Sequence, residues 1–133
     1  MRATALQTNN YTHSIKVRNH QVIVDEPTEQ GGEDRGPTPE ELLAASLASC
    51  TAVTMEMYAA RHGWEIKDVE VDCNYLPAQR GAPARFNLTL RLPEDLPDEQ
   101  RTKLCAVAAK CPVHRTLDGE VMFEERIELI NQE

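Results

Sequence analysis

The stretch that most constrains this chain runs from Thr38 to Gly63, TPEELLAASLASCTAVTMEMYAARHG. It predicts one long buried helix with a cysteine, Cys50, at its middle. Thr38 suits the N-cap, where a side-chain oxygen accepts an orphaned backbone N–H, and Pro39 suits the first helical position, where a missing N–H costs nothing. Glu41, three residues after Thr38, completes the pattern of a capping box. Gly63 supplies a left-handed stop. At 1.5 Å of rise per residue the helix is roughly 36 Å long, as wide as a domain of this size.

Ala44, Ala45, Ser46, Ala48 and Ser49 keep the turns before Cys50 narrow, so that neighbouring chain can approach closely. Leu43, Leu47, Cys50, Thr54 and Met57 share one face at three- and four-residue spacing, with Leu42, Ser46, Val53 and Ala60 on an adjoining face. An apolar surface this wide predicts burial on more than one side.

The 133 residues are read as a single domain, 1–133. A hydrophobic fraction of 41% beside a charged fraction of 27% fits a soluble globular chain. The formal net charge of −8 argues against general nucleic-acid binding and against a basic membrane-surface role. No unbroken apolar run nears the length of a membrane span, so no transmembrane segment is expected. The first residues, MRATALQTNNYTH, lack the apolar core of a signal peptide, and the expected location is cytoplasmic. Cys50, Cys73, Cys105 and Cys111 are then expected to be reduced at rest. A pair that does oxidise points to catalysis or redox sensing, not to a standing disulfide framework.

Alternation of apolar and polar residues predicts a hairpin over 11–25, with Tyr11, His13, Ile15 and Val17 on one arm, a turn at Asn19-His20, and Val22-Ile23-Val24 on the other. The acidic, glycine-containing segment EPTEQGGEDRG (Glu26 to Gly36) reads as a loop leading into the long helix. Val69, Val71, Cys73 and Tyr75 alternate with polar residues, as do Phe86, Leu88, Leu90 and Leu92; these predict two half-buried strands paired antiparallel. A second helix is predicted over Asp98 to Lys110, with acids in its first turn as the macrodipole favours. A short helical turn follows over Val113 to Leu117, and Met122 to Ile130 reads as a closing strand. The fold class is α+β, with two helices held against antiparallel sheet.

Cys50 and Cys111 are the candidate pair: one lies mid-helix after small residues, the other ends a helix just before Pro112. Where the two helices cross, a sulfur from each can meet; the alternative is two unrelated buried cysteines. Cys73, inward on a strand, and Cys105, near the inward stripe of the second helix, read as structural. Glu41 is explained by its cap, while Glu40 is either a dipole partner or a functional carboxylate. Glu40 stands ten residues before Cys50, roughly 15 Å along the same helix, so it can serve such a cysteine only from another subunit. His13, His20 and His62 have no Cys or His partner at ligand spacing, and Cys50, Cys111 and His114 would provide only three ligands without a CxxC. GGEDRG matches neither dinucleotide nor P-loop patterns, and no nucleophile elbow occurs. No cofactor and no metal are expected.

The run PEELLAASLASC (Pro39 to Cys50), followed about sixty residues later by KCPVHRTL (Lys110 to Leu117), resembles the OsmC/Ohr superfamily, the osmotically inducible and organic hydroperoxide resistance proteins, and in its CPVHRTL ending the OsmC-like branch. The resemblance implies an intertwined α+β homodimer around buried central helices, with active sites at the subunit interface. It implies thiol peroxidase activity on organic hydroperoxides, with Cys50 peroxidatic, Cys111 resolving through a Cys50–Cys111 disulfide, and Glu40 acting across the dimer. An arginine paired to that glutamate favours the thiolate in such proteins; Arg18 in the first hairpin and Arg35 in the loop before the helix are the candidates, Arg18 preferred for its hairpin position. The implied reductant is an external dithiol, lipoyl by resemblance. A redox sensor or small-ligand-binding dimer is the alternative, and turnover with a dithiol separates the two.

Overall fold

The computed structural model describes residues 1–131. Strands β1 (Thr4–Asn9), β2 (Thr12–Val17) and β3 (His20–Val24) form an antiparallel meander. Helix α1 (Pro39–Arg61) follows, then the antiparallel pair β4 (Glu70–Leu76) and β5 (Arg85–Arg91), helix α2 (Asp98–Ala108) and the short helix α3 (Pro112–Asp118). The domain is α+β, as expected.

Helix α1 starts as its sequence dictates. The Thr38 N–H donates to Glu41 Oε1 at 2.8 Å and the Glu41 N–H donates to Thr38 Oγ1 at 3.0 Å, the reciprocal bonds of a capping box. Its buried line is Leu47, Thr51, Met55 and Ala59, one residue round from the face expected to carry Leu47, Cys50, Thr54 and Met57. The shift leaves Val53 and Met57 48% and 56% exposed. By length and composition alone α1 is long and apolar enough to cross a membrane. The contrary expectation rested on unbroken apolar runs, which the Ser and Thr spaced along α1 interrupt without making it polar. It packs against β4, α2 and α3, with Leu47, Thr51, Met55 and Ala59 buried within the chain.

The core gathers on the C-terminal half of α1. Met55 and Ala59 meet Leu96, Leu104 and Ala108, ringed by Trp64, Ile66, Val71, Leu90 and Val107. Strand β4 contributes alternate residues inward, with Cys73 opposite Leu88 and Tyr75 stacked on Phe86 at 4.8 Å between ring centroids.

Four local readings change. The first hairpin turns at Arg18–Asn19, one residue before the expected position, and His20 begins β3 opposite Val17. Strand β1 carries no apolar alternation and is exposed throughout, so periodicity does not reveal it; its ladder to β2 does. Cys105 is exposed, because only Leu104 and Ala108 on α2 turn fully inward. Met122–Ile130 forms no strand. A strand's backbone groups need a neighbouring edge to pair with, and among the described residues none pairs with the segment. Met122, Phe123, Ile127, Leu129 and Ile130 are 80–95% exposed.

The loop into α1 is tied by Asp25, which is 1% exposed. Its carboxylate accepts from Thr12 Oγ1 at 2.8 Å, from the Glu26 N–H at 2.7 Å and from the Arg35 N–H at 3.2 Å. The Asp25 N–H donates to the Pro37 carbonyl, one residue before the helix cap. Gly32 and Gly36 are required here by close approach: a Cβ on Gly32 would collide with the Glu26 carbonyl, and one on Gly36 with that of Ile23. The GGEDRG segment is thus a packing loop. Burial pushes the Asp25 carboxyl upward, but hydrogen bonds from Thr12 and from the Glu26, Arg35 and Glu33 amides outweigh it and hold it below its ordinary 3.8.

Two outcomes follow. A carboxylate with a depressed native pKa stabilises at pH above its ordinary value and loses that contribution as pH falls through the native value. Asp25→Asn therefore lowers Tm at pH 7, and the gap to wild type narrows below about pH 4 in a thermal melt series. Leu104 is fully buried, so Leu104→Ala costs roughly 2–5 kcal/mol in urea unfolding.

Candidate functional site

Cys111 is the N-cap of α3, with Pro112 at the first helical position. Its Sγ accepts the His114 N–H at 3.3 Å, so the sulfur takes the place that a Ser or Asp oxygen usually fills. The residue is fully buried. Helix α3 packs on α1, and there Cys111 Sγ lies 3.7 Å from Thr51 Oγ1, across 60 residues of sequence. Thr51 itself is 1% exposed.

Cys50 is the residue immediately before Thr51 on α1. One helical step turns a side chain by about 100°, so Thr51 meets α3 while Cys50 stays half-buried on the face it shares with exposed Val53 and Met57. Both cysteines are free thiols. The fold thus brings Cys111 to the turn of α1 that carries Cys50, and the α1 group its sulfur touches is the Thr51 hydroxyl.

Glu40 is exposed in the first turn of α1 and, with Ala44, Cys73, Asn74, Tyr75 and Pro77, borders a cleft of about 310 Å³. Among the described residues it makes no ion pair. Arg18 sits exposed at the hairpin tip with a left-handed φ of 54° and likewise pairs with no carboxylate among the described residues. Arg35 is engaged by Glu33, Nε to Oε2 at 2.7 Å. Within one chain neither arginine is paired to Glu40.

Cys73 is half-buried, and its thiol is pushed up first by burial and then by the Asp72 charge, which suits a structural thiol. A second groove, of about 470 Å³, runs between Leu43 and Leu47 of α1, Tyr75 and Phe86 of the β4–β5 pair, and His114 and Leu117 of α3. His114 lines this groove while its backbone N–H caps onto Cys111.

Thr51 is the site residue that sequence reasoning missed. The signal was present: a hydroxyl placed one turn from Leu47 and one from Met55, on what became the buried line, must find a partner.

Residues 31–126 match the family model for OsmC-like protein, a span that includes Glu40, Cys50 and Cys111 and leaves out Arg18. An uncharacterized protein of Acinetobacter baylyi is 32% identical over 114 residues, covering 84% of this chain and 78% of that protein. The OsmC-like protein of Mycoplasma pneumoniae superposes with a TM-score of 0.74 at 19% identity, covering 89% of this chain and 86% of that one. An organic hydroperoxide resistance protein, OsmC, of Legionella pneumophila superposes with a TM-score of 0.62 at 19% identity, covering 90% of each chain. The family model covers well over half of the chain and the solved structures share the fold: this chain belongs to the OsmC-like protein family.

Proposed function

We propose that the protein is a thiol peroxidase that reduces organic hydroperoxides to alcohols and works as a homodimer. The observation that carries this reading is the seating of Cys111 Sγ on α1 at Thr51, one residue from Cys50. The Cys50 thiolate attacks the terminal oxygen of ROOH; the O–O bond breaks, the alcohol leaves after protonation, and Cys50 becomes a sulfenic acid. The Cys111 thiol then condenses with it: the S–O bond breaks, an S–S bond forms, and water departs. An external dithiol, lipoyl by family analogy, reduces the disulfide through a mixed-disulfide intermediate.

The dimer is supported by what one chain leaves uncovered. Val53 and Met57 on the Cys50 face are exposed, as are Met122, Phe123, Ile127, Leu129 and Ile130 in the C-terminal segment. Glu40, about 15 Å along α1 from its own Cys50, acts in this reading on the partner's thiol, with Arg18 as the cation beside it.

One equivalent of cumene hydroperoxide, followed by non-reduced peptide mapping, yields a Cys50–Cys111 linked peptide and loss of two hydrogens in wild type. Neither occurs in Cys50→Ser, and a dithiol gives continued turnover with wild type alone. Four untouched thiols would sink the reading, and a single oxidation without dithiol turnover would make the protein a redox sensor. The cross-subunit role of Glu40 is checked by subunit mixing. Glu40→Ala and Cys50→Ser proteins are each nearly inactive, and random re-pairing of the two restores about a quarter of wild-type activity, because half the dimers are mixed and each holds one intact site. No recovery on mixing rules the cross-subunit role out.

A further inference from the structure

We propose that Thr51 is a positioning residue for the resolving step: its hydroxyl holds the Cys111 sulfur against α1 so that it meets the Cys50 sulfenic acid. The inference rests on the peroxidase reading above. Thr51 lies in the buried line of α1 between Leu47 and Met55 and is 1% exposed, a place where a hydroxyl is costly unless it is bonded. A threonine inside a helix commonly returns its hydroxyl to a carbonyl of the preceding turn. Here the hydroxyl's side-chain partner is Cys111 Sγ at 3.7 Å. Valine would fill the same volume, so packing alone does not call for the oxygen.

The sulfur is held from two sides, by the His114 N–H of its own helix at 3.3 Å and by Thr51 of α1 at 3.7 Å. A free cysteine side chain otherwise samples three staggered rotamers. With both partners in place the sulfur faces α1 at the Cys50 turn. Both bonds to sulfur are long and weak, so the thiol can leave Thr51 and turn toward the adjacent residue to form the S–S bond. The balance of the step is unchanged: the thiol proton and the sulfenic hydroxyl leave together as water while S–S replaces S–O. Thr51 thereby shortens the life of the sulfenic acid, the state open to irreversible oxidation.

The test compares wild type, Thr51→Val and Thr51→Ser by rapid quench after one equivalent of cumene hydroperoxide. Dimedone adducts report the Cys50 sulfenic acid, non-reduced mapping reports the Cys50–Cys111 disulfide, and intact mass reports sulfinic acid. Thr51→Val keeps the shape and loses the oxygen: sulfenic acid forms within about twofold of the wild-type rate, while disulfide closure is roughly tenfold slower and sulfinic acid accumulates. Thr51→Ser keeps the oxygen and loses the methyl, and restores closure to within about twofold. Closure at the wild-type rate in Thr51→Val, or closure in Thr51→Ser as slow as in Thr51→Val, overturns the proposal. Wild type that forms the sulfenic acid yet never closes onto Cys111 overturns the role of Thr51 while Cys50 remains peroxidatic. Wild type that forms no sulfenic acid overturns both.

Discussion

Helix α1 is the constraint on which the rest of the structure depends, and its position is set at its first turn. The capping box of Thr38 and Glu41 satisfies backbone groups that would otherwise be orphaned. Asp25, fastened by Thr12 and by the amides of Glu26 and Arg35, binds the loop that delivers the chain to that cap. From there 23 helical residues run as a single rigid element. Strand β4, helix α2 and helix α3 each pack on it.

That arrangement gives one helix two tasks at different levels. Its C-terminal half, through Met55 and Ala59, closes the core against Leu96, Leu104 and Ala108. Its middle turn carries Cys50 and receives Cys111, whose helix begins at Pro112 immediately after the sulfur. A thiol at an N-cap is fixed by backbone geometry, and a rigid helix is a precise mount for a reactive side chain. One helix thus closes the core through its C-terminal half and mounts the candidate site on its middle turn.

The linear pattern announced the long helix, its cap, the paired strands β4 and β5 and the second helix, because each follows from local periodicity and punctuation. The turn of the first hairpin was displaced by one residue because Arg18 adopts a left-handed conformation that side chains rarely take and that sequence rules assign elsewhere. Strand β1 went unseen because its stabilisation comes from a ladder to β2 and not from an apolar face. The apolar residues of Met122–Ile130 have partial strand periodicity but pair with no strand edge among the described residues, and alternation without a partner does not make a strand.

By itself the sequence determined the helix that organises the domain, the family motifs at Cys50 and Cys111, and the distance that keeps Glu40 from its own cysteine. These depend on spacing along one chain, and the rise of a helix converts spacing into length. Only the tertiary structure decided which residues of α1 turn inward, that Cys105 faces outward, and that the sulfur of Cys111 meets the hydroxyl of Thr51. Such contacts join residues far apart in the chain, and they arise from how helices dock, which no local pattern encodes.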